Sequence, residues 1–114
     1  METISFYDYK EDYYHGFLAG LLKHNKKYVV KSNRESGLGR YDLIMKTHRI
    51  RQGKAIIIEL KIAENINGLE KGCTRALEKI EKFHYDRALL AEGYTDIAKY
   101  GICFYKKECL ALKF

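Results

Sequence analysis

A chain of 114 residues that is 46 % hydrophobic and 13 % aromatic carries enough apolar material for one core and too much for a disordered segment. No apolar run approaches the roughly 20 residues a membrane span needs, and Glu2, Asp8, Glu11 and Asp12 near the start argue against a secretory leader. Cys73, Cys103 and Cys109 lack C-x-x-C spacing, which argues against a disulfide framework or a zinc site, and the net charge of +6 is compatible with a nucleic-acid partner or with plain solubility. The expectation is one domain over 1–114, with no membrane partner, in a reducing cytoplasm.

Residues 9–24 read as a helix, with Tyr14, Phe17, Leu18 and Leu21 at i, i+3, i+4 and i+7. Gly16 and Gly20 cost helix propensity there but would permit close approach to a neighbouring sheet. Tyr28-Val29-Val30 starts a strand running towards Glu35, and Ser36-Gly37-Leu38-Gly39 supplies a flexible turn. Residues 39–45 and 55–61 then read as the two strands of a hairpin, joined by a polar segment over 47–54 that ends in Gln52-Gly53. After a loop over 64–68, Leu69, Cys73, Ala76, Leu77 and Ile80 lie on one stripe of a second helix that reaches Phe83. A short helical piece over 86–91 ends at Gly93. Residues 99–105 form a strand, Lys106-Lys107 a turn, and 109–114 a last strand. The order is α-β-β-β-α-β-β, an α/β arrangement in which helices flank a mixed sheet and the strand after the second helix joins through a crossover.

The hairpin concentrates the chemistry. Side chains alternate along a strand, so Glu59 and Lys61 share a face with Ile57, while Ile56, Ile58, Leu60 and Ile62 take the other. A turn centred between Ile50 and Arg51 places Asp42 across from Glu59 and Arg40 across from Lys61. In that register Leu43 faces Ile58 and Met45 faces Ile56, giving one continuous apolar face. Directly opposed carboxylates about 5 Å apart repel, so a positive group must sit between them: a metal ion, Lys61 or Arg40. Basic residues gather at Lys46, His48, Arg49, Arg51 and Lys54 in the connection and at Lys23, Lys26, Lys27 and Lys31 after the first helix. These read as polyanion contacts or as solvated charges, the latter group offsetting a helix dipole.

An α-β-β-β-α-β core with Asp42 on its second strand and Glu59-x-Lys61 on its third resembles the PD-(D/E)xK nuclease superfamily, with its restriction-endonuclease-like fold. The words Tyr14-His15-Gly16-Phe17-Leu18, Glu35-Ser36-Gly37-Leu38-Gly39-Arg40-Tyr41-Asp42 and Ile57-Ile58-Glu59-Leu60-Lys61 resemble one branch of it. Ala76-Leu77-Glu78-Lys79-Ile80 with Tyr85 downstream, and Tyr100-Gly101-Ile102-Cys103-Phe104, extend the resemblance over roughly residues 8 to 112. That branch is typically found C-terminal to an AAA-ATPase-like domain.

The resemblance implies metal-dependent hydrolysis of phosphodiester bonds in nucleic acid, with DNA as the expected substrate. It implies Mg²⁺ or Mn²⁺ held by Asp42, Glu59 and the Leu60 carbonyl, with Lys61 positioning water or stabilising charge on the phosphate and Glu11 as a further ligand or water-orienting group. Arg40, Lys79, Arg49 and Arg51 are the expected nucleic-acid contacts, and an AAA-ATPase-like domain is the expected partner. Lys79 departs from the branch, which usually has glutamine there. It reads as a phosphate contact, as a solvated residue beside Arg75 and Lys82, or as the mark of a drifted site. A degraded nuclease fold acting as an interaction module of an AAA-ATPase-like protein is therefore the alternative function. Simpler readings stand beside each site residue. Asp42, Glu59 and Lys61 also suit an ordinary wet hairpin face, Glu11 suits a helix N-terminus, Glu35 suits a salt bridge to Arg40, and His15 suits a hydrogen-bonded core position. Tyr85 and Tyr100 read as packing residues with a polar tip.

Overall fold

The strand Lys54–Ile62, nearly unbroken in apolar character, is buried on both faces and forms β3, the centre of a five-stranded sheet. The computed structural model describes residues 11–24, 26–32, 42–48 and 53–114, with the side chains of 11–13 excepted. Within them the elements run α1 (Glu11–Leu22), β1 (Tyr28–Ser32), β2 (Leu43–Thr47), β3, a single 3-10 turn (Ile66–Gly68), α2 (Leu69–Lys82), α3 (Arg87–Glu92), β4 (Asp96–Tyr105) and β5 (Glu108–Lys113). The sheet order is β1-β2-β3-β4-β5, antiparallel except for the parallel pair β3 and β4. Those two strands run parallel because the chain crosses back through α2 and α3 between them. The sheet is therefore mixed, with helices flanking it, as the order of elements predicts.

The register of β2 on β3 is also as expected: Leu43 pairs with Ile58, Ile44 with Ile57 and Met45 with Ile56. A slip of one residue would turn every apolar side chain to the wrong layer, so burial on both sides fixes it. One layer packs Ala19 of α1 with Leu43, Met45, Ile58 and Leu60; the other packs Ile80 of α2 and Leu89 of α3 with Ile44, Ala55 and Ile57. Each fully buried Leu or Ile contributes about 1.5–3 kcal/mol by removal from water. Tyr14 fastens α1 across the sheet by stacking on Phe104 with ring centroids 4.3 Å apart, and its hydroxyl donates to the Lys106 carbonyl at 2.6 Å.

The buried stripe of α1 differs from the expected one. Tyr14, His15 and Ala19 are buried and Leu18 and Leu22 partly so, whereas Phe17 is 53 % and Leu21 54 % exposed. The helix is rotated by about one residue relative to the apolar-periodicity reading, because the tyrosine ring and the histidine occupy core positions. Among the described residues nothing comes within 4 Å of a methyl placed on Gly16 or Gly20, so the close approach to the sheet expected there is not seen. Strand limits shift modestly: β4 begins at Asp96 rather than at residue 99, and α3 spans Arg87–Glu92 and ends at Gly93, whose φ of 109° is the left-handed conformation of a helix stop.

Close approach occurs instead between α2 and β4. A methyl group on Gly101 would overlap the carbonyl oxygen of Cys73, and one on Gly72 would overlap the sulfur of Cys103. Gly101 pairs with Glu59 in the β3–β4 ladder, so the glycine that lets α2 settle lies beside the key carboxylate. Because backbone cannot yield as a flexible side chain does, Gly101→Ala should destabilise the fold by about 1–3 kcal/mol. Urea denaturation of the two proteins measures this, and an unchanged midpoint would show that α2 is not seated so tightly.

Candidate active site

Two carboxylates lock the head of the β2–β3 hairpin. Extending the paired register by one step puts Asp42 opposite Glu59. The Asp42 N–H donates to Glu59 Oε1 at 3.2 Å, and the Leu60 N–H donates to Asp42 Oδ2 at 2.8 Å. Each acid thus accepts a backbone hydrogen bond from the other's strand, which restrains both side chains. Glu59 is fully buried and the Asp42 side chain is 16 % exposed. The two acids do not fan into solvent on a wet hairpin face.

Among the described residues the positive group facing Glu59 is Lys79 rather than Lys61; of the other expected candidates, Arg40 lies outside the described residues and a metal ion is the remaining one. The Lys79 ammonium lies 2.7 Å from Glu59 Oε2, as an ion pair. Lys79 is therefore half-buried over the site, not a freely solvated helix residue. It reaches Glu59 because α2 sits low on β4, where Gly72 and Gly101 permit it. The contact raises the Lys79 ammonium above its ordinary value, against the opposing effect of burial. Burial pushes the Glu59 carboxyl from an ordinary 4.5 to about 7; the negative charge of Asp42 adds to the rise and Lys79 opposes it.

Lys61 lies on the same face as Glu59, two residues along β3, and lines an open groove of about 270 Å³ with Arg75, Glu78, Lys79, Lys82 and Phe83. A second cavity of about 380 Å³ continues from it, sharing Arg75 and adding Lys71 and the turn after β3. Lys71, Arg75 and Lys79 follow at four-residue steps along α2, so one face of that helix presents cations to both cavities.

Behind Asp42 stands His15. It is 2 % exposed, shares a 2.5 Å hydrogen bond with Ser32 through Nε2, and places Nδ1 3.8 Å from Asp42 Oδ1. This is the hydrogen-bonded core position the sequence suggested, with the addition that the ring abuts the site. Neither the His15–Asp42 approach nor the Lys79–Glu59 pair is visible in periodicity, since both join elements distant in sequence. The one local hint for Lys79 is its departure from glutamine.

The remaining expectations fall elsewhere. Arg40, Arg49, Arg51 and Glu35 lie outside the described residues, as does the glycine turn; Glu11 opens α1, but its side chain also lies outside them. Lys46 pairs with Glu92 at 2.8 Å and His48 contacts the Lys26 carbonyl, so these members of the basic cluster have partners within the fold.

Among the described residues no three His, Cys, Asp or Glu side chains converge. The donors that the described residues offer are Asp42, Glu59 and the adjoining Leu60 backbone. That set suits a hard cation that keeps several waters and binds through one or two carboxylates, as Mg²⁺ does. A buried carboxylate oxygen already facing a cation is the observation that makes the fit.

The raised Glu59 carboxyl has a consequence for stability. Between about pH 4.5 and about 7 the folded chain keeps a proton on Glu59 that the unfolded chain has released, so unfolding free energy falls as pH rises across that window. In metal-free buffer Glu59→Gln lacks this loss, and its stability relative to the parent should improve from pH 5 to pH 8 by on the order of 1–3 kcal/mol. Thermal melts across that range check it; parallel curves for the two proteins would contradict the assignment.

Searches of the curated proteins and of the solved structures find no match to the chain. A family model does match, over residues 9–114, and it covers α1, the β2–β3 hairpin with both acids and Lys61, α2 and the last two strands. With a five-stranded mixed sheet flanked by helices and an Asp and a Glu-x-Lys meeting at one hairpin, the chain belongs to the PD-(D/E)XK nuclease superfamily.

Proposed function

We propose that the chain is a metal-dependent nuclease domain that hydrolyses phosphodiester bonds, with DNA as the expected substrate. The observation that carries this reading is the mutual locking of Asp42 and Glu59 across the hairpin, with Lys61 two residues on and facing a cationic groove. Membership of a nuclease superfamily supports the reaction class. A buried carboxylate beside a second one destabilises a sheet, and a site that must hold a cation accounts for keeping both.

Asp42, Glu59 and the Leu60 carbonyl would hold Mg²⁺ or Mn²⁺. When bound, such an ion supplies charge to a phosphate oxygen and lowers the pKa of an attacking water. Burial of Glu59 and the two backbone hydrogen bonds hold the ligand oxygens in place before substrate arrives. Lys61 orients water or neutralises charge growing on the phosphate from the groove side. Lys71, Arg75 and Lys82 offer contacts to flanking phosphates, which fix the strand without reading its sequence.

A second reading, a nuclease fold whose site has lapsed and which serves as an interaction module of an AAA-ATPase-like protein, is favoured by one observation: Lys79 already occupies Glu59. Assays with Mg²⁺ or Mn²⁺ on single-stranded, duplex and branched substrates separate the two. The nuclease reading expects cleavage that falls roughly 100-fold or more in Lys61→Ala and in Asp42→Asn. Absence of cleavage on every substrate, or cleavage indifferent to both substitutions, would leave only the module.

A further inference from the structure

Lys79 occupies the side of Glu59 where a cation is required. We infer that the Lys79 ammonium is a resident counter-ion of the metal site, which a divalent ion must displace from Glu59 and which is then free to meet a substrate phosphate in the α2 groove. The inference rests on the nuclease reading and adds a gate that this chain supplies for itself.

Three features carry it. Glu59 is fully buried, and its Oε2 is met by Lys79 at 2.7 Å, so a divalent ion reaching that oxygen needs the space and the charge that the ammonium holds. The pair is asymmetric: the Lys79 side chain is 37 % exposed, so it can swing outward, while Glu59 is held within the β3 ladders and by its bond from the Asp42 N–H. The destination exists as well. Lys79 lines the same groove as Lys61, Arg75 and Lys82, with Glu78 as the one acid in that lining among the described residues, so an ammonium released from Glu59 enters a predominantly basic groove suited to a polyanion.

Both charges cannot share the oxygen. A doubly charged ion placed a few ångströms from a fixed ammonium is repelled by it, and that repulsion is strong in a partly desolvated site. Metal entry and Lys79 retreat are therefore one exchange. Glu59 keeps a counter-charge in either state: lysine neutralises the buried acid before loading, and the metal would do so after it.

The test is calorimetric titration of Mn²⁺ at about pH 8.5 into the parent, Lys79→Gln and Lys79→Arg, without substrate. Removing the competing charge should tighten Mn²⁺ binding in Lys79→Gln by roughly tenfold, while Lys79→Arg stays near the parent. In the parent itself, with ¹⁵N-labelled lysine side chains, the ammonium signal of Lys79 should move and exchange faster with water on saturation with Mg²⁺. This second measurement needs no variant to fold. Equal Mn²⁺ affinity in the parent and Lys79→Gln, or a Lys79 signal unmoved by saturating Mg²⁺, overturns the gate while leaving a metal-dependent nuclease intact. Failure of all three proteins to bind Mn²⁺ overturns the gate together with the metal site on which it depends.

Discussion

A carboxylate buried at the centre of a sheet is the constraint around which this fold is organised. Glu59 lies on β3, whose neighbours on both sides are apolar and whose ladders to β2 and β4 fix its backbone on either flank. Moving an ionised carboxylate into such surroundings costs several kcal/mol after relaxation. Two separate features offset that cost: the Asp42 N–H binds one oxygen and Lys79 faces the other. Neither is local to β3, and the burial they leave uncompensated pushes the carboxyl upward.

The seating of α2 shows how the backbone serves this arrangement. Gly72 and Gly101 bring the helix close to β4, which lets Lys79 reach across to the neighbouring strand. Replacing either glycine therefore acts on the site as well as on packing, since raising α2 lengthens the reach of Lys79. The same closeness seals Cys73 and Cys103 from solvent and raises both thiols, chiefly through burial, with Cys73 still donating to the Leu110 carbonyl. They behave as small core residues, as an intracellular or extracellular chain alike could use them.

Sequence made the hairpin legible because its constraint is simple. Alternation in 55–61 places Leu43 and Met45 in one apolar layer, and a turn centred between Ile50 and Arg51 then selects the register that puts Asp42 opposite Glu59. The helix α1 was less legible, since its stripe contains Tyr14 and His15, two residues whose polar tips disguise core positions, whereas the more apolar Phe17 and Leu21 face out. Periodicity weights side chains by hydrophobicity, and here the aromatic stack on Phe104 and the bond to Ser32 decided the rotation. Lys79 was illegible for a different reason. Its role depends on how low α2 rides on the sheet, a distance set by two glycines whose effect no pattern of apolar residues records.

The ion pair between Glu59 and Lys79 does not by itself separate the proposed nuclease site from a discarded one. A site that had lapsed into pure scaffolding would gain stability from replacing both members with apolar residues of similar size, because buried pairs commonly cost more than they return. Each member alone is expensive to lose, so the pair could persist by drift-resistant coupling, and the argument needs a further term. Asp42 provides it. A second carboxylate beside the first raises the Glu59 carboxyl and so works against the pair; a structural ion pair has no use for it. Asp42 also accepts the Leu60 N–H, a role that asparagine would fill without adding negative charge. An arrangement that keeps two acids where one acid and one amide would repel less, and neutralises one of them with a half-exposed ammonium, accords with the proposed exchange of that cation for another.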